Sequence, residues 1–215
     1  MARQTTQRLV FGGLWLALGI YAFGFAPPER TDTFSLMMQI IQGGPGINPI
    51  LASVFNLLGV LPLICGCFLI PADHGRKFPA GVIVALMMAV GGFALLPYLA
   101  FRPTQRIAVS RIPWWVKLFD SRWLALVLAG ATVWLIVSGS GGDWGAYWAQ
   151  WRQERFVNVM TLDFLLVTGL LSVLVRYDLA RRRLKVRPWL WIGFIPLFGP
   201  LAYLIFRPSL QPTAG

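Results

Sequence analysis

The sequence predicts an all-α, polytopic membrane bundle, and three observations predict it. Hydrophobic residues make up 57% of the chain and charged residues only 13%, about half the charged share of an ordinary soluble domain. The apolar residues gather in six blocks close to the length that crosses a bilayer. The basic residues, which give a net charge of +11, fall in the short stretches between those blocks. One integral membrane domain over 1–215 is expected, with about six transmembrane helices and one or two interfacial amphipathic helices. On a soluble chain this charge would point to nucleic acid. Between apolar blocks it points to anionic headgroups, so the lipid bilayer is the expected partner and nucleic acid is not.

The first span is expected over 9–25. Its Gly12, Gly13, Gly19 and Gly24 offer small faces for close helix packing, and Pro27-Pro28 stops it. The run superficially resembles a signal peptide but lacks a well-formed small-x-small site, and it reads as a retained helix. Residues 33–41 place apolar groups at 34, 37, 38 and 41, a helical spacing. Asp32 is the expected N-cap and Gly43-Gly44-Pro45-Gly46 the stop. This short helix either lies at the interface or packs on the bundle.

The second span, 49–70, carries Asn56, which needs a hydrogen-bond partner on a neighbouring helix. Its Cys65 and Cys67 face different ways on a helix and read as buried small residues rather than metal ligands. A polar turn with His74 follows. The third span, 80–101, contains Gly91-Gly92 for close backbone approach and Pro97 for a kink near its exit. The basic loop 102–122 holds Trp114 and Trp115 beside Lys117, a headgroup-boundary pattern.

The fourth span is expected over 123–138. Asp143 then reads as the N-cap of a second surface helix, whose Trp144, Trp148 and Trp151 fall at i, i+4 and i+7 in one aromatic stripe. That stripe suits an aromatic belt or a protein-docking face better than base stacking. The fifth span, 160–177, and the sixth, 188–206, form a hairpin around the basic turn with Arg181, Arg182 and Arg183. Tyr203 and Arg207, four apart, are expected to anchor the last helix at the interface. With alternating sides, the loops at 26–48, 102–122 and 176–187 hold twelve Lys/Arg against seven on the other face. The two strongly basic loops are therefore expected in cytosol or stroma, and both termini in the lumen or periplasm.

Chemistry is thin. There are eight acids and one histidine, with no metalloprotease, phosphate-loop or nucleophile-elbow pattern. Asp163 opens a run without charge up to Arg176. It reads either as a relay or ligand at a membrane boundary or, preferably, as a partner of Arg152, Arg155 or its own helix N-terminus. Asp178 reads as a loop ion pair with Arg181 and Arg182. Pro196 and Gly199-Pro200 break the last helix. A transporter site would need a matching break; Gly59 and Pro62 are the candidates, and no convincing repeat accompanies them.

Several stretches carry a resemblance: Pro28-Glu-Arg-x-Asp32-Thr-Phe, Gly46-Ile-Asn-Pro49, Phe55-Asn-Leu-x-Gly59-Val, Ala94-Leu-Leu-Pro-Tyr-Leu99, Leu118-Phe-Asp-Ser-Arg-Trp123, Val159-Met-Thr-Leu-Asp163-Phe and Ile195-Pro-Leu-Phe-Gly-Pro-Leu-Ala-Tyr-Leu-Ile-Phe-Arg-Pro208. Together they resemble a family of uncharacterised multi-pass proteins of cyanobacteria and plant plastids. The resemblance implies a thylakoid or photosynthetic-membrane setting and no assigned activity.

The expected function is a non-enzymatic subunit or assembly factor of a larger photosynthetic membrane complex. It would dock through its tryptophans and contact chlorophyll or carotenoid with Asn56 or Asp163. The alternatives are a small membrane enzyme acting on a carotenoid or other isoprenoid lipid, with Asp163 or Asp178 as acid, and a small transporter.

Overall fold

A computed structural model describes residues 2–75, 79–103, 112–182, 184 and 195–210. Its described elements are helical: α1 (Ala2–Ile20) continued by a π turn (Tyr21–Phe25), α2 (Thr33–Gln42), α3 (Pro49–Asp73), α4 (Ala80–Val90), α5 (Gly92–Phe101), α6 (Trp114–Phe119), α7 (Arg122–Gly139), α8 (Trp144–Gln153), α9 (Arg155–Arg182) and α10 (Phe198–Phe206). Four of these are long and apolar enough to cross a membrane: α1 with its π turn, α3, α7 and α9.

Local chemistry sets the helix starts. Asn48 accepts from the Ile50 N–H with Pro49 in the first turn, Ser121 accepts from Trp123, and Asp143 accepts from Gly145 and Ala146. Asp32 occupies the N-cap position of α2 but makes no capping bond, because Arg30 takes both its carboxylate oxygens at 2.8 Å. Gly43 closes α2 in the left-handed region, as its sequence predicts. The buried face of α2 is Leu36 and Ile40, not the 34/41 face; Phe34 and Ile41 point outward. Those two buried residues join Ile50, Leu51, Tyr147, Val157 and Met160 in a small core beneath α2 and α8. The large core is formed by α3, α4, α5, α7, α9 and α10, with α1 laid against α5.

Among the described residues four candidate crossings stand where about six were expected, and the expected third span is one that differs. Gly91, at φ +52° and ψ −128°, ends α4 and turns the chain. At about 1.5 Å per residue, α4 and α5 reach roughly 16 and 15 Å, half of a hydrocarbon layer about 30 Å thick. The chain returns to where it left: Arg102, just past α5, bonds Asp73 at the end of α3. The stretch 74–101 is thus a hairpin entering and leaving the bundle at one end. An apolar run of 22 residues looks like one crossing because lipid and protein core are equally apolar; only the conformation of Gly91 separates the cases.

The C-terminal stretch behaves alike in its described part. Arg182 bonds the Pro208 carbonyl, and Arg207 bonds Asp178, so α10 ends beside the end of α9. Helix α10 has nine residues, again about half a crossing. Residues 188–194 of the expected sixth span lie outside the described residues.

The hairpins move the termini. Gln7 near the start of α1 donates to the Leu99 and Arg102 carbonyls, and Arg8 lies over the Phe101 ring. The N-terminal helix therefore begins at the end that also holds Asp73, Arg102, Asp120, Arg182 and Arg207, which is here called the basic end. The expectation set both termini opposite the basic loops, whereas the start of α1 packs beside Arg102. It assumed that every apolar block changes sides.

At the other end, Arg155 donates from Nε to the Pro27 carbonyl and from its backbone N–H to Pro28, and Tyr21 donates to Asn158. Between the ends, Ser53 Oγ donates to the Leu135 carbonyl at 2.8 Å, where α3 and α7 meet at Gly139. A Cβ on Gly139 would stand 2.6 Å from Ser53 Cβ. Replacing Gly139 by Ala is expected to cost about 1–3 kcal/mol through overpacking. By contrast, Gly59→Ala meets open space and should be neutral or stabilising by up to about 1 kcal/mol. Thermal unfolding of the two variants in detergent checks the contrast.

Candidate functional site

Asp163 is buried on α9 and faces the break in the α4–α5 hairpin. The backbone N–H of Gly92, first residue of α5, donates to both carboxylate oxygens at 2.9 and 3.1 Å. The first N–H groups of a helix have no partner within it and carry the positive end of its dipole. Such a terminus is an anion site, and here the anion is the protein's own carboxylate. The glycines follow from it. A Cβ on Gly91 would overlap the Asp163 carboxylate, and one on Gly92 would stand 2.5 Å from Oδ1. Asp163 does not bond Arg152, Arg155 or its own helix N-terminus. Its partner lies 71 residues earlier, and Gly91-Gly92 was legible only as a place of close approach.

The other acids all have partners. Glu29, Asp32, Asp73, Asp120, Glu154 and Asp178 form ion pairs with arginines, and the exposed Asp143 caps α8. Among the described residues Asp163 is the one buried acid without a basic partner.

Two further clusters fasten the basic end. In the first, Asp73 accepts from Tyr98 Oη at 2.6 Å and from Arg102 Nε at 2.8 Å and Nη2 at 3.0 Å. Arg181 donates to the neighbouring Pro71 carbonyl. In the second, Asp178 accepts from Tyr203 Oη at 2.8 Å, Arg207 Nη1 at 2.9 Å and Arg182 Nε at 2.8 Å. Asp120 closes the group by pairing with both Arg182 and Arg207. Arg207 also donates to the Cys67 carbonyl at 2.9 Å, tying α10 to α3.

Several expectations change here. Tyr203 is fully buried and Arg207 is 5% exposed, so they are internal ties rather than interface anchors. Asp178 lies inside α9 and not in a loop, because the helix runs on to Arg182. Asn56 faces away from the bundle and donates to the Ala52 carbonyl of its own helix at 2.8 Å, so it needs no neighbouring helix. Asn56 thus faces outward and Asp163 inward. Arg183 lies outside the described residues.

The tryptophans mostly stay at the surface. Trp114 is open, and Trp115 meets the His74 ring edge-on at 5.2 Å. On α8, Trp144 is 70% and Trp148 48% exposed. The Trp148 and Trp151 rings stack at 4.6 Å, with Arg152 over Trp148.

Chemically, Asp163 is an ionisable carboxyl whose described partner is the Gly92 N–H at the start of a half-helix. Asp163→Ala orphans the Gly92 N–H and should lower stability by about 1–3 kcal/mol, whereas Asp163→Asn, which retains an acceptor, should lose less. Asp178→Ala leaves two guanidiniums short of their shared acceptor and should cost about 3–5 kcal/mol, well beyond Tyr203→Phe at about 1 kcal/mol. Chemical unfolding in detergent ranks the four. No family model, curated protein or solved structure matches the chain.

Proposed function

We propose that the protein is a small membrane transporter whose working group is Asp163, exchanging a proton or small monovalent cation. One observation carries this reading: among the described residues, the one buried acid without a basic partner caps the half-helix α5 inside the bundle. An ionisable group inside a membrane span is costly and is kept where it acts on ions or protons. Transporters place such groups where helices are interrupted in corresponding positions, and the break at Gly91 and the turn at Leu197 before α10 supply two interruptions. Protonation or cation binding at Asp163 would weaken its hold on the α5 N-terminus and free the hairpin tip to shift.

The charges support an orientation. Eight described basic side chains lie at the basic end, against Arg30, Arg152 and Arg155 at the other. This imbalance exceeds the twelve against seven of a six-span reading and fits the basic end in cytosol or stroma. The setting, by family resemblance, is a thylakoid or cell inner membrane.

Proteoliposomes holding an internal pH dye test the activity. A pulse of pH or of Na⁺ or K⁺ should give a dye response with the wild-type chain that falls at least tenfold in Asp163→Asn. Equal responses from the two, or none from the wild type, reject the reading.

A second reading, an accessory subunit of a photosynthetic membrane complex, is favoured by the open tryptophan face of α8. Trp144→Ala with Trp148→Ala should then release the protein from a large assembly on native gels after gentle extraction, with any chlorophyll or carotenoid leaving alongside. Free migration of the wild type counts against it. No observation favours the lipid-enzyme reading, since Asp178 is held by two arginines.

A further inference from the structure

We infer that the chain is two copies of one membrane unit set 105 residues apart, each fastening its last half-helix with an Asp–Tyr–Arg latch. The inference stands independently of the transport reading.

The latches carry it. Asp73, Tyr98 and Arg102 correspond to Asp178, Tyr203 and Arg207, each at a shift of 105. The chemistry corresponds as well as the spacing. In both clusters a tyrosine hydroxyl and an arginine from a returning half-helix converge on an aspartate at the end of a long crossing helix. Of the 35 positions from 69 to 103, ten carry the same residue 105 further on, and five of those ten are consecutive or nearly so in Tyr98-Leu-x-Phe-Arg-Pro103 and Tyr203-Leu-x-Phe-Arg-Pro208.

The architecture repeats in the same order. Each copy has a crossing helix leaving the basic end (α1, α7), a short helix at the far end (α2, α8), a crossing helix returning (α3, α9), and a last half-helix, α5 or α10. Shifting α3 by 105 starts it at 154, one residue from the observed start of α9. The turns before the half-helices correspond to within one residue. Gly91 and Leu197 both have positive φ, at +52° and +60°. Contacts between the copies match too. Ser53 on α3 bonds the carbonyl of Leu135 on the other copy's first helix, and its equivalent Asn158 on α9 bonds Tyr21 on the π turn of α1. The copies share one direction through the membrane, so their axis lies along the membrane normal. They differ at the hairpin tip, where Leu58 stands at the position equivalent to Asp163.

The assignment makes each latch local to its own hairpin, which gives a test. In a Cys65→Ala/Cys67→Ala background, single cysteines at His74, Pro103, Pro208 and Ser140 are labelled with a membrane-impermeant maleimide on sealed vesicles of both orientations. The first three should label from one side and Ser140 from the other; Pro103 or Pro208 labelling with Ser140 overturns the inference. Next, maleimide rates are read at Leu99→Cys and Leu204→Cys, both buried beside their latches. Asp73→Asn should raise the rate at Leu99→Cys about tenfold, the opening expected when about 1.4 kcal/mol of latch strength is lost, and leave Leu204→Cys unchanged. Asp178→Asn should do the converse. The exchange Asp73→Arg with Arg102→Asp should restore protection at Leu99→Cys. Equal effects of one latch on both sites, or no effect of either, overturn the inference. Where a latch variant does not fold, the sidedness of Pro103 and Pro208 decides alone.

Discussion

The Asp–Arg contacts at the basic end are what the rest of the structure depends on. A half-depth helix has a problem that a crossing helix lacks: both its ends need partners, and one of them lies far from water. Unsatisfied backbone groups in lipid cost several kcal/mol each. Helix α5 meets the condition with Asp163 at its inner end and Arg102 at its outer end, where the guanidinium joins Asp73 and Tyr98. Helix α10 is held at its outer end by Arg207, which reaches Asp178, Asp120 and two backbone carbonyls at once. Removing either arginine would leave a carboxylate short of its partner in a low-dielectric core.

Polar residues in this chain therefore serve mainly to fix where backbone stops and turns. Gln7 satisfies the last carbonyls of α5, Arg181 reaches the carbonyl of Pro71, and Arg155 ties the far end of α9 to the Pro27-Pro28 segment. Each of these lies where a proline or a helix end has left a backbone group without its usual partner. Asp163 is set apart because its partner is an N–H group alone, with no opposing charge among the described residues.

The class of fold was legible in composition and block length, and so were the crossings α3, α7 and α9, and the start of the short helix α8, whose cap Asp143 is a local signal. The hairpins were not legible. Hydropathy reports apolar surroundings, and these are the same for a helix that crosses as for two that turn back inside a bundle. Tyr203 and Arg207 looked like interface anchors because their spacing suits an anchor; the acid that buries them sits 25 and 29 residues away in sequence. The second copy escaped notice for a related reason. Its identities cluster at the latch and half-helix, while the connecting stretches share little beyond being apolar.

The half-depth hairpins also give the protein a shape in the bilayer. In the leaflet at the basic end the cross-section holds α4, α5 and α10 beside the four crossing helices; in the opposite leaflet the four stand without them. The far end instead carries the short helices α2 and α8 over a small core of their own. The two ends of the bundle are therefore built on different plans: buried half-helices fastened by arginines at one, and surface helices laid across the crossings at the other.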